Sequence, residues 1–393
     1  MRSRKNHTVS SREVHRWTLE WLLQAKLLKD HGWLCTATVV WNVLLRAAAQ
    51  TISLFAACRD LADAPCQQAV LDALGAGLPK TLKALERRLN QALTDPLPRV
   101  LRRRAWRVAI DWHLEPYYGQ PYRSKNELYY GKPRQGTKRF HAYATACIVQ
   151  HGQRYTLAVT WVRRHESTVV ALARLIARIR EINLKIKDLS LDRAFFNVPV
   201  TEFLQAQNLP FLMPVMFRGR PAKKRQKKTV HRGLAWIKRQ PAGWYAHTLK
   251  NRKRQVTVSV CVSYRRHRNP KDGKQRRQKL LFAAWRVRAA PVEIRERYRK
   301  RFGIETSYRQ MRQARIYTCT RNPHLRLLFV VVALLLRNLW VWIHATHLAE
   351  GGRFDDLTLR LELLSFKQML HWIVLNVLAL LHDGQLPCVV CET

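Results

Sequence analysis

Three acidic side chains are the residues of this chain best suited to chemistry. Acids are scarce, with 26 Asp and Glu against 71 Lys and Arg. Asp111 follows the apolar run in "RVAIDWHL" and Asp192 follows "LSL", so we expect each carboxylate at the end of a buried strand. Burial makes a carboxylate costly unless it is paired or binds a metal ion. The third, Glu305, is the one acid in the basic, helix-like stretch "YRKRFGIETSYRQMRQAR".

Each acid also has a simpler explanation that, for that acid taken alone, stays open. Asp111 could cap a turn, and Asp192 could pair with Arg193 or another arginine. Glu305 could form ion pairs with side chains four positions away on an exposed helix. That last alternative predicts alternating charges, whereas residues 298–315 contain a single acid among basic side chains. The pattern therefore favours a special role for Glu305.

The side chains around Glu305 fit phosphoryl transfer on a nucleic acid. On a helix, Tyr298, Arg301 and Arg312 fall roughly on one stripe with Glu305. Carboxylates are hard oxygen ligands for Mg²⁺, and two ions about 4 Å apart can stabilise both the attacking and the leaving oxygen. Arginines beside them would fix phosphates through forked hydrogen bonds. We therefore expect the three acids to bind two Mg²⁺ ions.

The net charge of +45 indicates a polyanionic partner. The excess of Lys and Arg is spread along the chain, and a compact protein so charged repels itself unless something neutralises it. Nucleic acid is the first candidate and an anionic membrane surface the second. A membrane-surface protein would need a basic amphipathic helix, but the densest basic runs lie among strand-like pieces. We therefore expect a nucleic-acid partner and no membrane.

We expect neither a signal peptide nor a membrane span. The N-terminus, "MRSRKNHTVSSREVHRW", contains no apolar run. The most apolar stretch, from Leu327 to Leu336, is only ten residues long and is followed by Arg337. A helix that crosses a bilayer needs about 18 to 20 apolar residues. The stretch therefore favours a buried core helix.

Residues 1–104 are predicted to form a helical region that binds DNA or mediates dimerisation. Apolar residues recur there every three or four positions, as on amphipathic helices. A helix at 53–61, a break at 62–65 and a helix ending at Leu74 match a helix-turn-helix in length and turn. Two ordinary bundle helices explain the same pattern, since the second helix carries little positive charge. Both interpretations stay open.

From residue 105 the pattern changes to mixed α and β structure. The predicted order is strand, strand, strand, helix, strand, helix, strand, which favours a mixed five-stranded sheet with flanking helices. This order resembles that of an RNase H-like domain. We assign residues 105–216 to the first part of this core and 289–345 to its second part, which carries the Glu305 helix. A single long helix is predicted from Pro291 to about residue 316.

A basic, β-rich insertion is predicted at residues 217–288. Two runs dense in Lys and Arg flank strand-like pieces, and the apolar "QVTVSVCVSY" between them fits poorly with a solvated loop, which would explain each run separately. A tryptophan at position 236 or 244 could stack on a flipped base, although such residues more often belong to a core. The residues expected to contact DNA here are Lys223, Lys224, Arg225 and Trp236.

The last part, residues 346–393, is predicted to be a C-terminal helical region. It ends near "CVVC", where Cys388 and Cys391 have the spacing of half a zinc site. No second pair of ligands lies nearby in the sequence, so a metal there stays an open alternative. The remaining cysteines are scattered, and we expect reduced thiols.

The acidic and basic residues together resemble a known family. "YRKRFGIETSYRQMR" fits Tyr, two residues, Arg, three residues, Glu, six residues, then Lys or Arg. That is the Y-R-E-K signature of insertion-sequence DDE transposases with an RNase H-like core. Asp111 and Asp192 look like the first and second catalytic aspartates, and Glu305 looks like the third carboxylate. The resemblance covers residues 105–345, with the insertion in the interval where that family carries one.

The resemblance implies a function. The protein would bind terminal inverted repeats of double-stranded DNA as a homodimer or higher multimer, cut one strand and join the freed 3′-hydroxyl to target DNA. It implies two Mg²⁺ ions, with Mn²⁺ as a substitute, and a location in the prokaryotic cytoplasm at the nucleoid. Tyr298, Arg301 and Arg312 would contact DNA phosphates. A nuclease on the same fold, or a non-catalytic DNA-binding relic of a transposase, remains an alternative.

Two features depart from the family pattern. The last signature position is Arg312 instead of the commoner Lys, and its phosphate contact should survive the change. Residues 1–104 match no pattern of that family, so a role in recognising DNA ends depends only on their position and helicity.

Overall fold

The computed structural model describes residues 9–150, 154–215, 234, 236–237, 240–251, 254–268, 272–348, 360 and 362–381. The helices are α1 (Ser11–Gln24), α2 (Ala37–Ala49), α3 (Leu54–Arg59), α4 (Gln67–Gly77), α5 (Leu82–Thr94), α6 (Thr168–Glu181), α7 (Val198–Ala206), α8 (Pro291–Arg299), α9 (Gly303–Met311), α10 (Pro323–Ile343) and α11 (Phe366–Leu381). The strands are β1 (Ala105–Pro116), β2 (Tyr129–Arg134), β3 (Thr137–Ile148), β4 (Thr156–Val162), β5 (Lys185–Leu191), β6 (Phe211–Pro214), β7 (Gly243–Asn251), β8 (Arg254–Arg268) and β9 (Gln275–Trp285).

A mixed sheet forms the centre of the molecule. β1 pairs antiparallel with β3, and β3 pairs antiparallel with β4. β5 lies parallel to β1 on its other side, and β6 lies parallel to β5. Helices α6 and α7 make the connections into these two parallel strands, as parallel pairing requires. Every strand and helix predicted from residue 105 occurs in the predicted order, but β2 is an additional strand between the first two that the sequence did not predict.

The sheet is larger than the five strands predicted. β2 pairs with β3 on the side away from β1, and β9, β8 and β7 continue the sheet beyond β6 to a total of nine strands. The three strand-like pieces of the predicted insertion are therefore strands of the same sheet. The count of five is wrong for this sheet, because the open edge of the short strand β6 pairs with β9 over Phe211–Pro214.

The opposite edge, at β4, is covered by side chains of α5. Asn90 accepts a hydrogen bond from the Val159 backbone N–H and donates to its carbonyl, both at 2.8 Å. Glu86 accepts from the Trp161 backbone N–H and the Thr160 hydroxyl, both at 2.9 Å. These bonds satisfy backbone groups that an edge strand would leave exposed, and they fix the N-terminal helices against the sheet.

The predicted buried core helix is α10. With the π-helical turn that follows, residues 323–348 form a helix long and apolar enough to cross a membrane, but 94% of its most apolar window is buried inside the molecule. Asn338 in this helix accepts from the Thr156 backbone N–H and donates to its carbonyl, both at 2.8 Å. The packing therefore supports a core helix.

The region before β1 is helical, as predicted. α3 and α4 occupy the two segments expected to form helices, separated by residues 60–66. α3 follows an N-cap at Ser53, whose hydroxyl accepts from the Ala56 N–H at 3.2 Å. The Tyr317 N–H donates to the Ile52 carbonyl at 3.1 Å, so this region joins the segment after α9. Neither contact distinguishes a helix-turn-helix from bundle helices.

The long helix expected from Pro291 is interrupted. α8 ends at Arg299, a 3₁₀ turn covers Lys300–Phe302, α9 follows, and a second 3₁₀ turn holds Arg312–Ala314. The four signature residues therefore do not share one continuous α-helical stripe. Gly303 begins α9, where an added Cβ would come within 2.8 Å of the Arg154 side chain, so close packing against Arg154 accompanies the break.

Candidate active site

Asp111 and Asp192 lie on neighbouring parallel strands. The parallel register of β1 and β5 ends with Ile110 opposite Leu191, and each aspartate is the next residue of its strand or of the loop after it. Both side chains therefore begin at the same edge of the sheet, where the carboxyl ends of parallel strands commonly hold functional groups. Residues 81 positions apart in the chain are brought together by this pairing.

Asp111 does not end its strand, contrary to the prediction. β1 continues five residues beyond it, to Pro116, because β3 goes on pairing with it as far as Phe140. What ends near Asp111 is only the pairing with β5. Asp192 does follow directly after the last residue of β5, as predicted, and it precedes a 3₁₀ turn that begins at Arg193.

Arg301 connects Asp111 to Glu305. Its Nη1 donates to Asp111 Oδ2 at 3.0 Å, and its Nη2 donates to Glu305 Oε1 at 2.8 Å. The arginine side chain is 4% exposed, against 18% for Asp111 and 39% for Glu305. A buried guanidinium thus holds together two carboxylates, one from the sheet and one from α9. Sequence analysis predicted Arg301 near the acids, but as a contact to DNA phosphate and not as their partner.

The pKa values of this cluster reflect burial and mutual charge. Burial raises the pKa of Asp111, and the nearby Asp192 adds to that rise, while Arg301 opposes it. Burial works against the charge of Arg301, yet Tyr298 and the three acids together raise the pKa of Arg301 above its ordinary value. Because all three acids act on this guanidinium, they surround one region of the molecule.

Tyr298 lies inside this cluster and is largely buried. Burial raises its pKa, and a hydrogen bond with Arg301 opposes that rise. The Arg301 guanidinium carbon is 5.4 Å from the ring centre of Tyr298. The phenol therefore supports Arg301 from the side of α8, and only a small part of it faces solvent.

Tyr308 is a residue of this site that sequence analysis missed. Its hydroxyl is 2.6 Å from the Thr145 hydroxyl and donates to the Asp111 carbonyl at 3.2 Å. These bonds tie α9 to both β1 and β3, and so set the height of Glu305 above the sheet. The signal available in the sequence was its position three residues after Glu305, on the same face of the helix.

The donor set suits a divalent cation by its chemistry, since it consists of carboxylates around a site that already holds one positive group. Within the part of the chain that is described, no cluster of three or more His, Cys, Asp or Glu side chains is close enough to hold an ion as the side chains stand. The Arg301 guanidinium supplies the charge between Asp111 and Glu305 instead. Asp192 is half-buried; its backbone carbonyl accepts from the Phe195 N–H at 3.0 Å, but its carboxylate forms no hydrogen bond or ion pair among the described residues.

Arg312 lies apart from the three acids. It is exposed in the 3₁₀ turn after α9 and lines a cavity of about 150 Å³ together with Arg315, Arg326 and Glu115. Burial alone would raise the pKa of Glu115, but His113 and the two neighbouring arginines hold it below the ordinary value. Three guanidiniums and the Glu115 carboxylate thus line one small cavity, whose chemistry suits an anion.

Of the insertion residues expected to contact DNA, Lys223, Lys224 and Arg225 lie outside the described residues, as do Cys388 and Cys391. Trp236 is half-buried, with its ring centre 5.9 Å from that of Tyr245 in an edge-to-face contact. The Trp244 indole N–H donates to the Ala289 carbonyl at 3.0 Å. Both tryptophans pack against core residues in this structure.

The chain was compared with known proteins. A family model described as "Transposase DDE domain" matches residues 102–342, more than half of the chain. A solved structure described as "Cryo-EM structure of piggyBac transposase synaptic complex with hairpin DNA (SNHP)" has a similar fold, with a TM-score of 0.51 and 11% sequence identity. The alignment covers 95% of this chain and 80% of that one. No curated protein sequence matches.

Proposed function

The chain belongs to the DDE-domain transposase family, and from that premise we propose that it cuts DNA at the ends of an insertion sequence and joins the freed 3′ ends to target DNA. The observation that carries this proposal is the contact of Arg301 with both Asp111 and Glu305, next to Asp192. It supports a catalytic cluster at one sheet edge. The central strand order β4-β3-β1-β5-β6 supports an RNase H-like core.

In this proposal Asp111, Asp192 and Glu305 hold two Mg²⁺ ions, for which Mn²⁺ can substitute. When bound, such ions polarise the scissile phosphate and lower the pKa of water. Arg301 now engages one oxygen of two of these carboxylates, so it would compete with the ions there and would be displaced when they bind. The released arginine, 4% exposed and anchored beside Tyr298, would then bind a phosphate oxygen of the DNA.

The strand arm of β8 and β9 supports a DNA-binding surface. β7 begins at Gly243, opposite Val262 of β8. Beyond that point β8 and β9 continue as a two-stranded ribbon, paired from Ser263–Leu280 to Arg268–Gln275. The only acid in its described part is Asp272. A two-stranded ribbon fits the major groove of B-DNA, about 12 Å wide. The basic residues of the ribbon are Arg265, Arg266, Arg268, Lys274, Arg276, Arg277 and Lys279.

We also propose DNA contacts for the remaining predicted residues. Arg312, exposed beside two further arginines, would bind a phosphate close to the cut. The basic run 223–225 and Trp236 would extend the surface from the insertion. The partner would be double-stranded DNA, bound by a homodimer or larger multimer at the nucleoid in the cytoplasm. The helical region 1–104 would recognise the inverted repeats or mediate dimerisation.

The test is a strand-transfer assay with the DNA that flanks the gene as donor ends, pre-cut and labelled, and a supercoiled plasmid as target. Asp111→Asn, Asp192→Asn and Glu305→Gln should each lower joined product by at least about a thousandfold, as expected when a ligand of the reacting ions is lost. Glu293→Gln, an exposed acid on α8 that pairs with Arg297, is the matched control and should join DNA normally.

The alternatives give different results in the same assay. A nuclease would cut intact ends in Mg²⁺ but join no pre-cut ends. A non-catalytic relic would bind the ends and neither cut nor join them, and the three acid variants would behave like the wild type. Unchanged cleavage after removal of divalent ions with a chelator would contradict the metal-dependent mechanism.

A further inference from the structure

A second cavity, separate from the acids, lies where four segments meet. It has a volume of about 580 Å³ and is formed by the connection from α4 to α5, residues 122–127, the end of β4 and the start of α10. Small-molecule sites commonly enclose roughly 300 to 1,000 Å³. The cavity is therefore large enough for a ligand with a ring and a charged group.

The wall and the rim of this cavity differ in chemistry. Leucines from α4, α5 and α10 form an apolar wall, among them the buried Leu74 and Leu325. Lys80, Arg123 and Arg163 stand exposed at the rim, and none of them forms an ion pair with a carboxylate among the described residues. Glu127, the one acid among the described residues of the lining, accepts hydrogen bonds from the backbone N–H groups of Tyr122 and Arg123. A planar apolar group could enter while an anionic group meets the rim.

Buried polar atoms in the lining lack partners. Trp161 is 7% exposed, and its indole N–H makes no hydrogen bond within the described chain. Among the described residues His324 Nε2 is also buried without a partner, although the imidazole lies within hydrogen-bonding reach of the Lys80 backbone. Native proteins satisfy most such groups with protein, water or ligand. The N-terminus of the 21-residue helix α10 also opens at this cavity, and it favours a negative charge.

The cavity lies on the same part of the sheet as the catalytic acids. His113 is opposite Tyr143, and Tyr143 is opposite Trp161, so all three side chains share the face of Asp111. Trp161 on β4 lies two strands away from Asp111 on β1 and two residues further along. Its backbone is therefore about 12 Å from that of Asp111. A DNA strand rises about 3.4 Å for each nucleotide, so a strand passing over the buried Tyr143 would need at least about three or four nucleotides to reach from one to the other.

We propose that this cavity binds one nucleoside 5′-phosphate unit. The base lies against the leucine wall, with a ring acceptor for the Trp161 N–H, and the phosphate lies between Lys80, Arg123 and the start of α10. Two sources share this chemistry, namely a nucleotide of the bound DNA strand and a free nucleotide. Only the first source rests on the function proposed above, because nucleotide binding at the cavity needs neither metal nor the three acids.

The primary test measures binding of single deoxynucleoside 5′-monophosphates to the full chain by calorimetry, with a chelator present. Wild type should bind at submillimolar to millimolar concentrations. Lys80→Ala should weaken binding about tenfold, as loss of one charge-assisted hydrogen bond does. Lys83→Ala, an exposed lysine of α5 outside the cavity, is the control and should bind normally.

Gly75→Leu adds bulk to the lining of the cavity without removing a charge. Gly75 lines the cavity on α4, and a Cβ added there meets no atom within 4 Å. Leucine also favours a helix over glycine, so the variant should fold. We expect it to abolish nucleotide binding. Binding by this variant equal to that of the wild type, no binding by the wild type at millimolar nucleotide, or equal binding of inorganic phosphate and nucleotide would each overturn the proposal.

The source is identified with DNA that carries 2-aminopurine at one position at a time near the cleavage site. A fluorescence increase at one position in wild type, absent in Gly75→Leu, identifies a nucleotide of the strand. No response at any position, together with binding of free nucleotides, identifies the free nucleotide and leaves the cavity assignment standing. If the wild type shows no strand transfer, the proposed function is refuted, but the calorimetric result for the cavity still stands.

Discussion

Arg301 is the residue on which the charge balance of the site depends. It is almost fully buried and donates to carboxylates that lie 190 positions and four positions away in the chain. Without it, Asp111 would be a buried carboxylate next to Asp192, a like charge that already contributes to its raised pKa. A buried ion pair contributes little to stability in itself, but removing one partner leaves the other uncompensated. A divalent cation bound by these acids, as proposed above, would therefore overlap with the arginine in its electrostatic role.

This overlap predicts how Arg301 variants respond to metal. Arg301→Met should lower stability by roughly 3 to 5 kcal/mol, the cost of an unpaired buried charge. Arg301→Lys keeps the charge and should lose less. Because Mg²⁺ can neutralise the same acids, added Mg²⁺ should raise the thermal midpoint of Arg301→Met more than that of wild type. Scanning fluorimetry with and without Mg²⁺ measures this difference.

The control for this measurement combines Arg301→Met with Asp111→Asn. That variant has no unpaired charge at position 111, so much of the lost stability should return without metal. An equal rise of the midpoint on adding Mg²⁺ in wild type, Arg301→Met and the double variant would show that the ion does not act at these acids.

The buried histidine His141 should make the folded protein less stable in acid. It is 2% exposed, both of its ring nitrogens lack partners among the described residues, and burial together with Arg326 lowers its pKa to about 3. In the unfolded chain this histidine has an ordinary pKa near 6.5, so it takes up a proton more readily than in the folded protein. The neutral His141 therefore leaves the folded state at full stability above pH 6.5, and stability is lost as the pH falls towards 3. At pH 5 the loss should be about 2 kcal/mol.

His141→Phe keeps a ring beside Tyr117, whose ring centre is 4.7 Å away, and removes the titrating group. Its denaturant midpoint should therefore fall less than that of wild type between pH 7 and pH 5. Parallel losses in the two proteins would mean that His141 is not the group responsible.

At this scale, the sequence singled out the three acids because carboxylates are rare here, two of them after apolar runs and one in a basic helical stretch, and their catalytic role stays a prediction. It could not identify Arg301 as their partner, because that contact joins α9 to β1 and depends on how α9 lies on the sheet. It also missed Tyr308, whose bonds to β1 and β3 set that position. Contacts between distant segments have no local signal in the spacing of residues.

At the scale of elements, hydrophobic periodicity predicted the order of the core strands and helices apart from β2. It fixed neither the number of strands in the sheet nor the length of β1, because both depend on which strands pair. The break between α8 and α9 escaped prediction too, since the sequence from Pro291 to residue 316 contains no internal proline. Domain boundaries and the role of the N-terminal helices stay predictions.

Asn338 is the element-scale feature whose removal should matter most for the docking of α10. Its side chain satisfies both backbone polar groups of Thr156 on β4 and also donates to the Leu93 carbonyl at 3.3 Å. Asn338→Leu would leave those backbone groups buried and unpaired, at a cost of roughly 1 to 3 kcal/mol for each. Chemical denaturation should show a loss of at least about 2 kcal/mol.

Asn376 on α11 offers the matched control. Its amide donates to the Trp372 carbonyl, which is within its own helix, at 2.8 Å. Asn376→Leu removes no contact between elements, so its effect should be small. Similar losses in both variants would mean that Asn338 does not anchor α10 to the sheet.

At the scale of the whole molecule, the effect of the +45 charge depends on where the cations lie. The ribbon of β8 and β9 carries cations on a thin arm, while Arg312, Arg315 and Arg326 surround a small cavity near the acids. A DNA strand bound at both the ribbon and this cavity would run along the edge of the sheet that holds Asp111. Composition alone predicted a polyanionic partner but could not say which surface it contacts.

Salt dependence measures how many of these charges meet phosphates. Replacing Arg265, Arg266 and Arg277 of the ribbon with Gln should weaken binding of a duplex end. It should also reduce the slope of log K against log salt by about 1 for each phosphate that the ribbon no longer binds. Binding is measured by fluorescence anisotropy from low to moderate salt, in Ca²⁺ or a chelator so that no DNA is cut.

The control is an equal loss of charge on the far side of the sheet, with Arg180, Lys185 and Lys187 replaced by Gln. β5 begins at Lys185 and ends just before Asp192, so these side chains lie at the opposite edge from the acids. If charge acts only through the overall field, both triple variants should weaken binding alike, because long-range attraction depends on net charge. A reduced slope in the ribbon variant alone would instead require direct phosphate contacts on that arm, and equal slopes in all three proteins would exclude them.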